Sequence, residues 1–397
     1  MSETICVVGQ GYVGLPISLE AAKSGYKVIG IDINKSIVQN LNLGVSHVED
    51  VSNLEISRML SSGNLSVVND FKLVKNASIV LICVPTPLTE QKKPDLSYLV
   101  EAVTSVSQNM NSKTLVIVES TVEPGTTRNL LLPIIKKESK LKEQDFYLAF
   151  SPERVDPRNK EWHLVNTPKL VSGLNQISLL KAVDFYSKFA KSVIQCESLE
   201  IAETAKLLEN SFRLINISFI NEIAILCHKL GIDVNKVIDA AGTKPYGFMS
   251  FYPSVGVGGH CIPVDPLYLS NTARELKAPI MMIELAAKIN YDLPDYFVER
   301  AKELIGSLEF KKILIVGVAY KPNISDSRET PARRLVETLK SKGADVFWHD
   351  DLVKEWNSEK SVALSNKYDL AIIATLHDYL DLTKLGDVPI LNTRGSV

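Results

Sequence analysis

Short apolar runs alternate with helix-like segments over the first 200 residues of the chain. Each run is bounded by polar or glycine-rich turns, which is typical of buried strands in a parallel sheet. Strands that alternate with helices predict βαβ units and therefore an α/β fold. The predicted strands cover residues 5–8, 27–31, 78–84, 114–119 and 147–150.

One apolar pattern is much longer and has the period of a helix. Between residues 199 and 230 apolar side chains recur every three or four positions, and Gly231 follows as a stop signal. At ~1.5 Å per residue this helix would be roughly 45 Å long. It needs cover on more than one side, so we expect it to bridge two domains and to form a homodimer interface. The recurring residues are Ile201, Ala205, Leu208, Phe212, Ile215, Phe219, Ile223 and Leu226.

The strand pattern starts again near residue 311 and repeats the beginning of the chain. Residues 316–320 compare with 7–12, and Asp350-Asp351 compares with Asp32. This copy keeps the strand–turn–helix–strand frame but lacks the glycine triplet, so we expect it to hold no second dinucleotide. The predicted fold is two Rossmann-like doubly wound domains joined by the long central helix and a helical middle domain. The expected domains are residues 1–197, 198–305 and 306–397.

The first turn carries a dinucleotide-binding pattern in its required strand–turn–helix context. Gly9 permits a tight turn, Gly11 lets a pyrophosphate approach the backbone, and Gly14 lets the helix pack on the strand. Asp32 ends the next strand, where it can accept hydrogen bonds from a ribose 2′-hydroxyl and would repel a 2′-phosphate. The pattern therefore predicts NAD rather than NADP. The alternative is a tight glycine turn in a ligand-free domain.

Polar side chains follow the later strands of the same predicted sheet. Thr86, Ser120 and Thr121 come after strand ends, where parallel sheets bind ligands. Their hydroxyls are expected to line the cofactor cleft, although loop and cap chemistry would suit them equally well. Glu153 follows another strand end and has either a site role or an ordinary surface role.

The candidate nucleophile is Cys261, which follows two glycines and precedes Asp265 by four positions. A thiol beside such a surface can attack a carbonyl carbon, whereas a lone cysteine is more often a small buried hydrophobe. Lys206 and Asn210 are four residues apart and so project from one helix face. A thiol combined with NAD favours aldehyde-level oxidation through a thiohemiacetal and a thioester.

Charge and composition exclude several other classes. The net charge is −2 without basic runs, which argues against nucleic acid as a partner. The chain has neither a signal-peptide pattern nor an apolar run of ~20 residues, so we expect a cytoplasmic protein. Five cysteines without CxxC spacing predict neither disulfides nor a metal site. Lys321, Arg328 and Arg394 suit a phosphorylated ligand or are solvated surface charges.

Seven motifs together resemble the UDP-glucose/GDP-mannose dehydrogenase family over essentially the whole chain. This resemblance implies NAD-dependent oxidation of a sugar C6 alcohol to a carboxylate, with two NAD consumed. The motifs are Gly-Gln-Gly-Tyr-Val-Gly-Leu-Pro (9–16), Val-Pro-Thr-Pro (84–87), Ser-Thr-Val-Glu-Pro-Gly-Thr-Thr (120–127), Ser-Pro-Glu-Arg (151–154), Ala-Lys-Leu-Leu-Glu-Asn (205–210), Gly-Gly-His-Cys (258–261) and Ser-Arg-Glu-Thr (327–330).

The resemblance also assigns roles within the reaction. It implies that Cys261 is the nucleophile, that Lys206 and Asn210 stabilise an oxyanion, and that Asp265 helps to handle water or protons. Glu153 would assist thioester hydrolysis, with Thr121 nearby. Cofactor contacts implied by the motifs include Tyr12, Val13, Val84 and Arg328.

The resemblance also implies contacts to a UDP-sugar. The resemblance places Lys321 at the UDP part, Arg394 at the diphosphate, and Glu153 and Arg154 at the substrate; the loop from Tyr252 through Gly256 to Gly258 would surround the nucleotide sugar. UDP-glucose enzymes carry an arginine upstream of this loop, contributed across the dimer. Here Thr243-Lys244-Pro245-Tyr246 lacks it, and Lys244 is a candidate substitute.

The motif Gly-Gly-His-Cys-Ile-Pro-Val-Asp-Pro resembles the branch that acts on UDP-N-acetylhexosamines, and the segment 243–253 looks most like UDP-N-acetylglucosamine 6-dehydrogenases. UDP-N-acetylmannosamine and UDP-glucose remain alternative substrates. A non-catalytic nucleotide-sugar sensor would not need the thiol. A two-electron dehydrogenase of the 6-phosphogluconate or hydroxyacid type would need neither Cys261 nor the second Rossmann-like unit.

Overall fold

The computed structural model describes residues 3–156, 159 and 161–395. The chain divides into two compact units, Met1–Leu208 and Glu209–Val397. The boundary falls inside the long central helix. Among the described residues, no helix is both long and apolar enough to cross a membrane.

The first unit is built on one eight-stranded sheet with the order β3-β2-β1-β4-β5-β6-β7-β8. Strands β1 to β6 are parallel to one another, β7 is antiparallel to β6, and β8 is parallel to β7. The strands are β1 Thr4–Val8, β2 Lys27–Ile31, β3 Leu65–Val68, β4 Ile79–Ile82, β5 Leu115–Val118, β6 Tyr147–Phe150, β7 Lys169–Gly173 and β8 Val193–Gln195.

Both faces of this sheet are covered, which explains why its central strands β4 and β5 are apolar at every position. In β4, Ile79 and Leu81 pack in one core cluster, whereas Val80 and Ile82 pack in another. Successive side chains of a strand point to opposite faces, so a sheet between two helical layers needs continuous apolar runs. The helices are α1 Gly14–Lys23, α2 Lys35–Asn42, α3 Asn53–Ser61, α4 Ser97–Ser107, α5 Leu132–Ser139 and α6 Gln176–Tyr186.

Helix α7, Leu199–Leu230, has the predicted bounds and contains 32 residues. Its apolar stripe lies on the outside: Phe212, Phe219 and Leu226 are 45%, 59% and 53% exposed. The buried positions include small and polar residues, for example Ser218, whose Oγ donates to the carbonyl of Ala286 at 3.0 Å. The apolar stripe predicted from the sequence is therefore exposed on this chain, where it can pack against another molecule.

The second unit combines the rest of α7 with four further helices and a smaller sheet. The sheet has four parallel strands in the order β10-β9-β13-β14, and β11 and β12 form a separate antiparallel pair. The helices are α8 Val234–Gly242, α9 Asp265–Glu275, α10 Met281–Ile305 and α11 Ala332–Ser341. The strands are β9 Lys312–Val316, β10 Asp345–His349, β11 Glu355–Trp356, β12 Glu359–Lys360, β13 Leu370–Ile373 and β14 Ile390–Asn392.

The α/β prediction is confirmed, including the second Rossmann-like sheet. The sequence pattern did not indicate β3, β7 or β8. Strand β3 alternates buried and exposed residues over only four positions, and β8 is a three-residue edge strand with two exposed residues. Such short, partly polar strands leave little periodic signal.

Candidate active site

The first glycine turn has the geometry that dinucleotide binding requires. Gly9 has a φ of +87°, and a Cβ there would lie 2.7 Å from the carbonyl oxygen of Cys83. Gly14 begins α1, and a Cβ there would lie 1.8 Å from the carbonyl oxygen of Gly9. A Cβ on Gly11 would meet no atom within 4 Å. The turn thus combines close helix–strand packing with open space for a pyrophosphate at a helix N-terminus.

Asp32 lies beside this turn and holds it. Its Oδ2 accepts the backbone N–H of Gln10 at 2.9 Å, and its Oδ1 accepts the N–H of Asn34 at 2.8 Å. A carboxylate oxygen has two lone pairs, so both oxygens can accept a further hydrogen bond from a ribose hydroxyl. These residues fit NAD. Of the other predicted cofactor residues in the turn, Tyr12 is exposed and Val13 packs against the core.

The hydroxyls predicted to line the cofactor cleft bond to the backbone of neighbouring loops. Thr86 Oγ1 donates to the carbonyl of Thr121 at 2.8 Å, and Ser120 Oγ donates to the carbonyl of Val84 at 2.7 Å. They therefore join the loops that follow β4 and β5. The loop 120–127 is fixed further by Glu203 of α7, whose two oxygens accept the N–H groups of residues 125 and 127 at 2.6 and 3.0 Å.

Glu153 lies at the edge of a buried ionic cluster. Its Oε1 accepts the N–H groups of Arg154 and Val155, both at 2.7 Å, and its Oε2 lies 3.4 Å from Nζ of Lys169. Burial raises the pKa of Glu153, but Lys169, these N–H groups and the charge of Lys206 outweigh burial and lower it overall. Two predicted site residues, Glu153 and Lys206, therefore interact electrostatically in the first unit.

Two of the predicted site residues in the first unit, Lys206 and Arg154, carry positive charges. Lys206 is 9% exposed on α7, so its ammonium is largely shielded from solvent. The guanidinium of Arg154 donates through Nη1 to the carbonyl of Pro168 at 2.7 Å. Arg154 thereby ties the segment after β6 to the residue before β7.

In the second unit, Cys261 is exposed and lies next to two buried polar residues. The backbone carbonyl of Cys261 accepts the N–H of Asp265 at 2.8 Å, at the first turn of α9. Oδ2 of Asp265 in turn accepts Nδ2 of Asn210 at 2.6 Å, and both side chains are buried. Two of the predicted catalytic side chains, Asn210 on α7 and Asp265 on α9, are thus brought together, and Cys261 lies one turn before Asp265 along the chain.

The glycines before Cys261 allow close packing against the loop after β9. A Cβ on Gly258 would lie 2.7 Å from the carbonyl oxygen of Glu329, and one on Gly259 would lie 2.8 Å from the ring of Tyr320. His260 approaches the same loop, with Nε2 at 3.5 Å from Oδ2 of Asp326.

The remaining predicted ligand contacts lie on loops of the second unit. The guanidinium of Arg328 pairs with Asp326, at 2.7 Å between Nη2 and Oδ2. The backbone N–H of Arg394 is accepted by Oδ1 of Asn392 at 2.9 Å. Lys321 is half-buried, whereas Tyr252 is 52% exposed.

The loop around Gly256 is held by side-chain amides. Gly256 has a φ of +141°, and the next residue, Val257, donates its N–H to Oδ1 of Asn290 at 2.6 Å. Asn221 accepts the N–H of Ser254 at 2.9 Å. Candidate ligand residues therefore stand on a loop fixed by α7 and α10.

Several residues that shape these sites were missed by sequence reasoning. They are internal polar residues whose partners lie far away along the chain, so neither periodicity nor spacing marks them. Gln10 was the one with a local signal, because it occupies the middle of the glycine motif and is completely buried. The set comprises Gln10, Lys169, Glu203, Asn221 and Asn290. No group of three His, Cys, Asp or Glu side chains suited to a metal occurs within the described part of the chain.

The chain matches all three domains of one protein family. The NAD-binding domain of the UDP-glucose/GDP-mannose dehydrogenase family covers residues 3–190, the central domain 200–292 and the UDP-binding domain 314–392. A UDP-N-acetyl-D-mannosamine dehydrogenase of Pyrococcus horikoshii is 35% identical, over 94% of this chain and 89% of its own length. A UDP-N-acetyl-D-glucosamine 6-dehydrogenase of Salmonella typhi is 34% identical over the same shares.

A solved structure of a UDP-glucose dehydrogenase from Pyrobaculum islandicum superposes with a TM-score of 0.92 at 28% identity. The match covers 99% of this chain and 94% of that one. These matches extend over nearly the whole chain and include its cofactor and nucleotide domains. They show that the protein is an NAD-dependent UDP-sugar dehydrogenase, acting on a CH–OH group, of the UDP-glucose/GDP-mannose dehydrogenase family.

Proposed function

We propose that this protein oxidises the C6 alcohol of UDP-N-acetylglucosamine to the carboxylate, a four-electron reaction that consumes two NAD. The observation that carries the proposal is the exposed residue Cys261 one helical turn before Asp265, whose buried carboxylate is hydrogen-bonded to the amide of Asn210. When bound at the first glycine turn, NAD supplies the hydride acceptor. A two-electron enzyme would have no need of a nucleophile that retains the aldehyde carbon.

The thiol of Cys261 attacks the aldehyde carbon and forms a thiohemiacetal, whose oxidation leaves a thioester. Lys206 and Asn210 face the developing oxyanion, and each such donor typically stabilises it by ~3 kcal/mol. Asp265 fixes the amide of Asn210 through the 2.6 Å hydrogen bond, so the donor is oriented before the substrate arrives. Asp265 also handles a proton or a water during the reaction.

Glu153 acts in the second half, when water hydrolyses the thioester, with Thr121 nearby. Its side chain is 17% exposed, so water can reach it, while both carboxylate oxygens are held by hydrogen bonds. Lys321 binds the UDP part of the substrate, Arg394 binds the diphosphate, and Arg328 reaches the cofactor. The loop from Tyr252 to Gly258 surrounds the nucleotide sugar.

The identity of the sugar rests on the segment 243–253, which resembles UDP-N-acetylglucosamine enzymes. UDP-N-acetylmannosamine is the second candidate, because several similar relatives carry that name. Lys244 would replace the arginine of UDP-glucose enzymes; in the free subunit its Nζ lies 4.9 Å from the ring centre of Tyr246. We also propose a cytoplasmic location, because five cysteines, an odd number without CxxC spacing, are typical of proteins from a reducing compartment.

The active protein is proposed to be a homodimer through α7. The supporting observation is the outward stripe of Phe212, Phe219, Leu226 and Leu230, all at least 45% exposed. Large apolar side chains repeated along one helix face favour packing against a second helix. Sedimentation at micromolar concentration should give a dimer, and Phe219→Glu should give a monomer.

Stoichiometry tests the reaction. The protein is incubated with NAD and each UDP-sugar in turn, and NADH is counted per sugar consumed. Two NADH per UDP-N-acetylglucosamine supports the proposal, and a higher kcat/KM for UDP-N-acetylmannosamine would reassign the sugar. One NADH with an aldehyde or ketone product would exclude the four-electron reaction. Binding without turnover of any UDP-sugar would favour a sensor.

The nucleophile is tested by Cys261→Ser, with Cys196→Ser as the matched control. Cys261→Ser should bind UDP-sugar normally but form no acid, because serine lacks the acidity and nucleophilicity of a thiol. Cys196 is half-buried in the first unit, and its replacement should leave turnover unchanged. Full activity of Cys261→Ser would remove the assignment.

A further inference from the structure

A buried ionic cluster lies behind Glu153. Lys169 begins β7 and Glu119 directly follows β5; their side chains are 4% and 0% exposed. Nζ of Lys169 lies 2.6 Å from Oε2 of Glu119, 3.2 Å from the carbonyl oxygen of Pro152 and 3.4 Å from Oε2 of Glu153. These three acceptors match the three hydrogens of an ammonium group.

The cluster is closed on its far side by Tyr186 at the end of α6. The Tyr186 hydroxyl donates to Oε1 of Glu119, and Nζ of Lys169 lies 5.3 Å from the centre of the Tyr186 ring. Both oxygens of Glu119 are therefore engaged inside the protein. Among the side chains of this cluster, that of Glu153 is the most exposed, at 17%.

The two carboxylates are not equivalent. Burial raises the pKa of Glu119 to about 7, with Glu153 adding to this effect and Lys169 and Tyr186 opposing it. Glu153 shifts in the opposite direction, because the Lys169 charge and the backbone N–H groups outweigh its burial. Glu153 therefore stays ionised near neutral pH, and Glu119 is the more easily protonated of the two carboxylates.

We propose that Lys169 is a positioning residue for the hydrolytic half of the reaction: its ammonium fixes Glu153 as an oriented anion from behind. The inference rests on the proposed function, in which Glu153 assists thioester hydrolysis. The N–H groups of Arg154 and Val155 hold Oε1, and Lys169 holds Oε2, so the carboxylate cannot rotate without breaking contacts on both oxygens.

The chemical step that depends on this arrangement is balanced without a further reactant. The water oxygen bonds to the thioester carbonyl carbon while the carbon–sulfur bond breaks, and that electron pair leaves with Sγ of Cys261. One water proton passes to Glu153, and the other stays on the carboxylic acid until it ionises. Oxidation is already complete, so this step consumes no NAD.

The test separates the oxidations from hydrolysis by single-turnover kinetics with UDP-N-acetylglucosamine and excess NAD. In Lys169→Met, NADH should form at a rate close to that of the wild type, while thioester hydrolysis slows on the order of 10- to 100-fold. The acyl group should then accumulate on Cys261. Intact-mass spectrometry detects it as an adduct that hydroxylamine removes.

Two variants control for structural damage. Lys169→Arg restores the positive charge and should recover most of the hydrolysis rate. Tyr186→Phe removes one buried hydrogen bond to Glu119 without touching Glu153, so its hydrolysis should stay within about two-fold of the wild type. If Lys169→Met does not fold, the double variant Glu119→Gln/Lys169→Met removes the buried carboxylate together with its cation and is measured instead.

Three results would overturn the inference: wild-type hydrolysis in the variant without Lys169, equal slowing of hydride transfer and hydrolysis, or equal slowing in Tyr186→Phe. Each would mean that Lys169 is structural only. Failure of the proposed function looks different, because the wild type itself would then yield one NADH per sugar or no turnover.

Discussion

The glycine turns at Gly9 and Gly317 have the same backbone conformation but differ in the groups that surround them. Gly9 and Gly317 have φ of +87° and +82°, and each donates its N–H to the strand before the acidic residue at 2.8 Å. Asp32 accepts the N–H of the residue after Gly9 at 2.9 Å, and Asp350 accepts the N–H of the residue after Gly317 at 2.9 Å. Strand, turn and acidic residue therefore coincide.

The two turns differ in how many hydrogen bonds the acidic side chain already accepts from the protein, and in the space beside the turn. Asp32 accepts two backbone N–H groups through its side chain. Asp350 is 2% exposed, and its carboxylate is surrounded by protein donors. These donors are the N–H groups of Val318, Ala319, Leu352 and Val353 and the Nε2 of His377.

His377 supplies the side-chain hydrogen bond to the Asp350 carboxylate. Its Nδ1 accepts the N–H of Asn323 at 2.8 Å, so the proton of the neutral ring lies on Nε2, which donates to Asp350 at 3.1 Å. Ala319 stands where the first turn has Gly11, and it is completely buried. We infer that this frame binds a dinucleotide at the first turn because the hydrogen-bond acceptors and the space beside that turn are left to the ligand.

Filling the space at the first turn should give the largest effect. Gly11→Val places a side chain where a Cβ meets no protein atom within 4 Å. The fold should survive, whereas NAD affinity should fall roughly 1000-fold, about 4 kcal/mol, because the pyrophosphate can no longer approach the backbone. Calorimetric titration with NADH measures the loss, and unchanged UDP binding is the control. Normal NADH affinity would contradict the open-space argument.

Removing the charge at the second turn should affect stability rather than cofactor binding. Asp350→Asn presents an amide NH₂ to backbone donors and should lower the free energy of unfolding by about 3 kcal/mol. Trp348 and Trp356 lie in the core of this unit, so their fluorescence during urea unfolding reports on it. A Trp162→Phe background removes the signal of the first unit. Loss of NAD binding in Asp350→Asn would contradict the comparison.

Low pH should reduce the difference in unfolding free energy between the wild type and Asp350→Asn. Burial raises the pKa of Asp350, but hydrogen bonds from His377 and from backbone N–H groups outweigh it and lower the pKa to about 2. A carboxylate with a lowered folded-state pKa stabilises the fold above the unfolded pKa, and this contribution is lost as pH falls toward the folded value. The stability gap between wild type and Asp350→Asn should therefore shrink by about 2 kcal/mol between pH 4 and pH 2. A constant gap in urea unfolding would refute this.

The smallest expected effect is on the preference for NAD over NADP when Asp32 is replaced. Asp32→Asn removes the charge that opposes a 2′-phosphate, so the ratio of kcat/KM for NADP to that for NAD should rise about 10-fold. Asp32→Glu keeps the charge and is the matched control. Steady-state rates with both cofactors give the ratio, which should stay unchanged in Asp350→Asn.

The sequence by itself determined the repeated frame and the family. The sequence shows these features as local patterns: apolar runs, the glycine triplet and the helical period from Leu199 to Leu230. Local patterns determine secondary structure directly, and the observed strands and helix follow them. Cys261 and Asp265 could be singled out because they lie four residues apart across the start of a helix.

The tertiary structure alone decided which face of α7 is covered and which polar residues support the site. Phe219 is exposed although its spacing is typical of a buried stripe, because burial depends on which elements pack against the helix. Lys169 and Glu119 are 50 positions apart in the chain, and His377 and Asp350 are 27 positions apart. Such pairings require the folded sheet, since no spacing rule connects residues that meet only after their strands have paired.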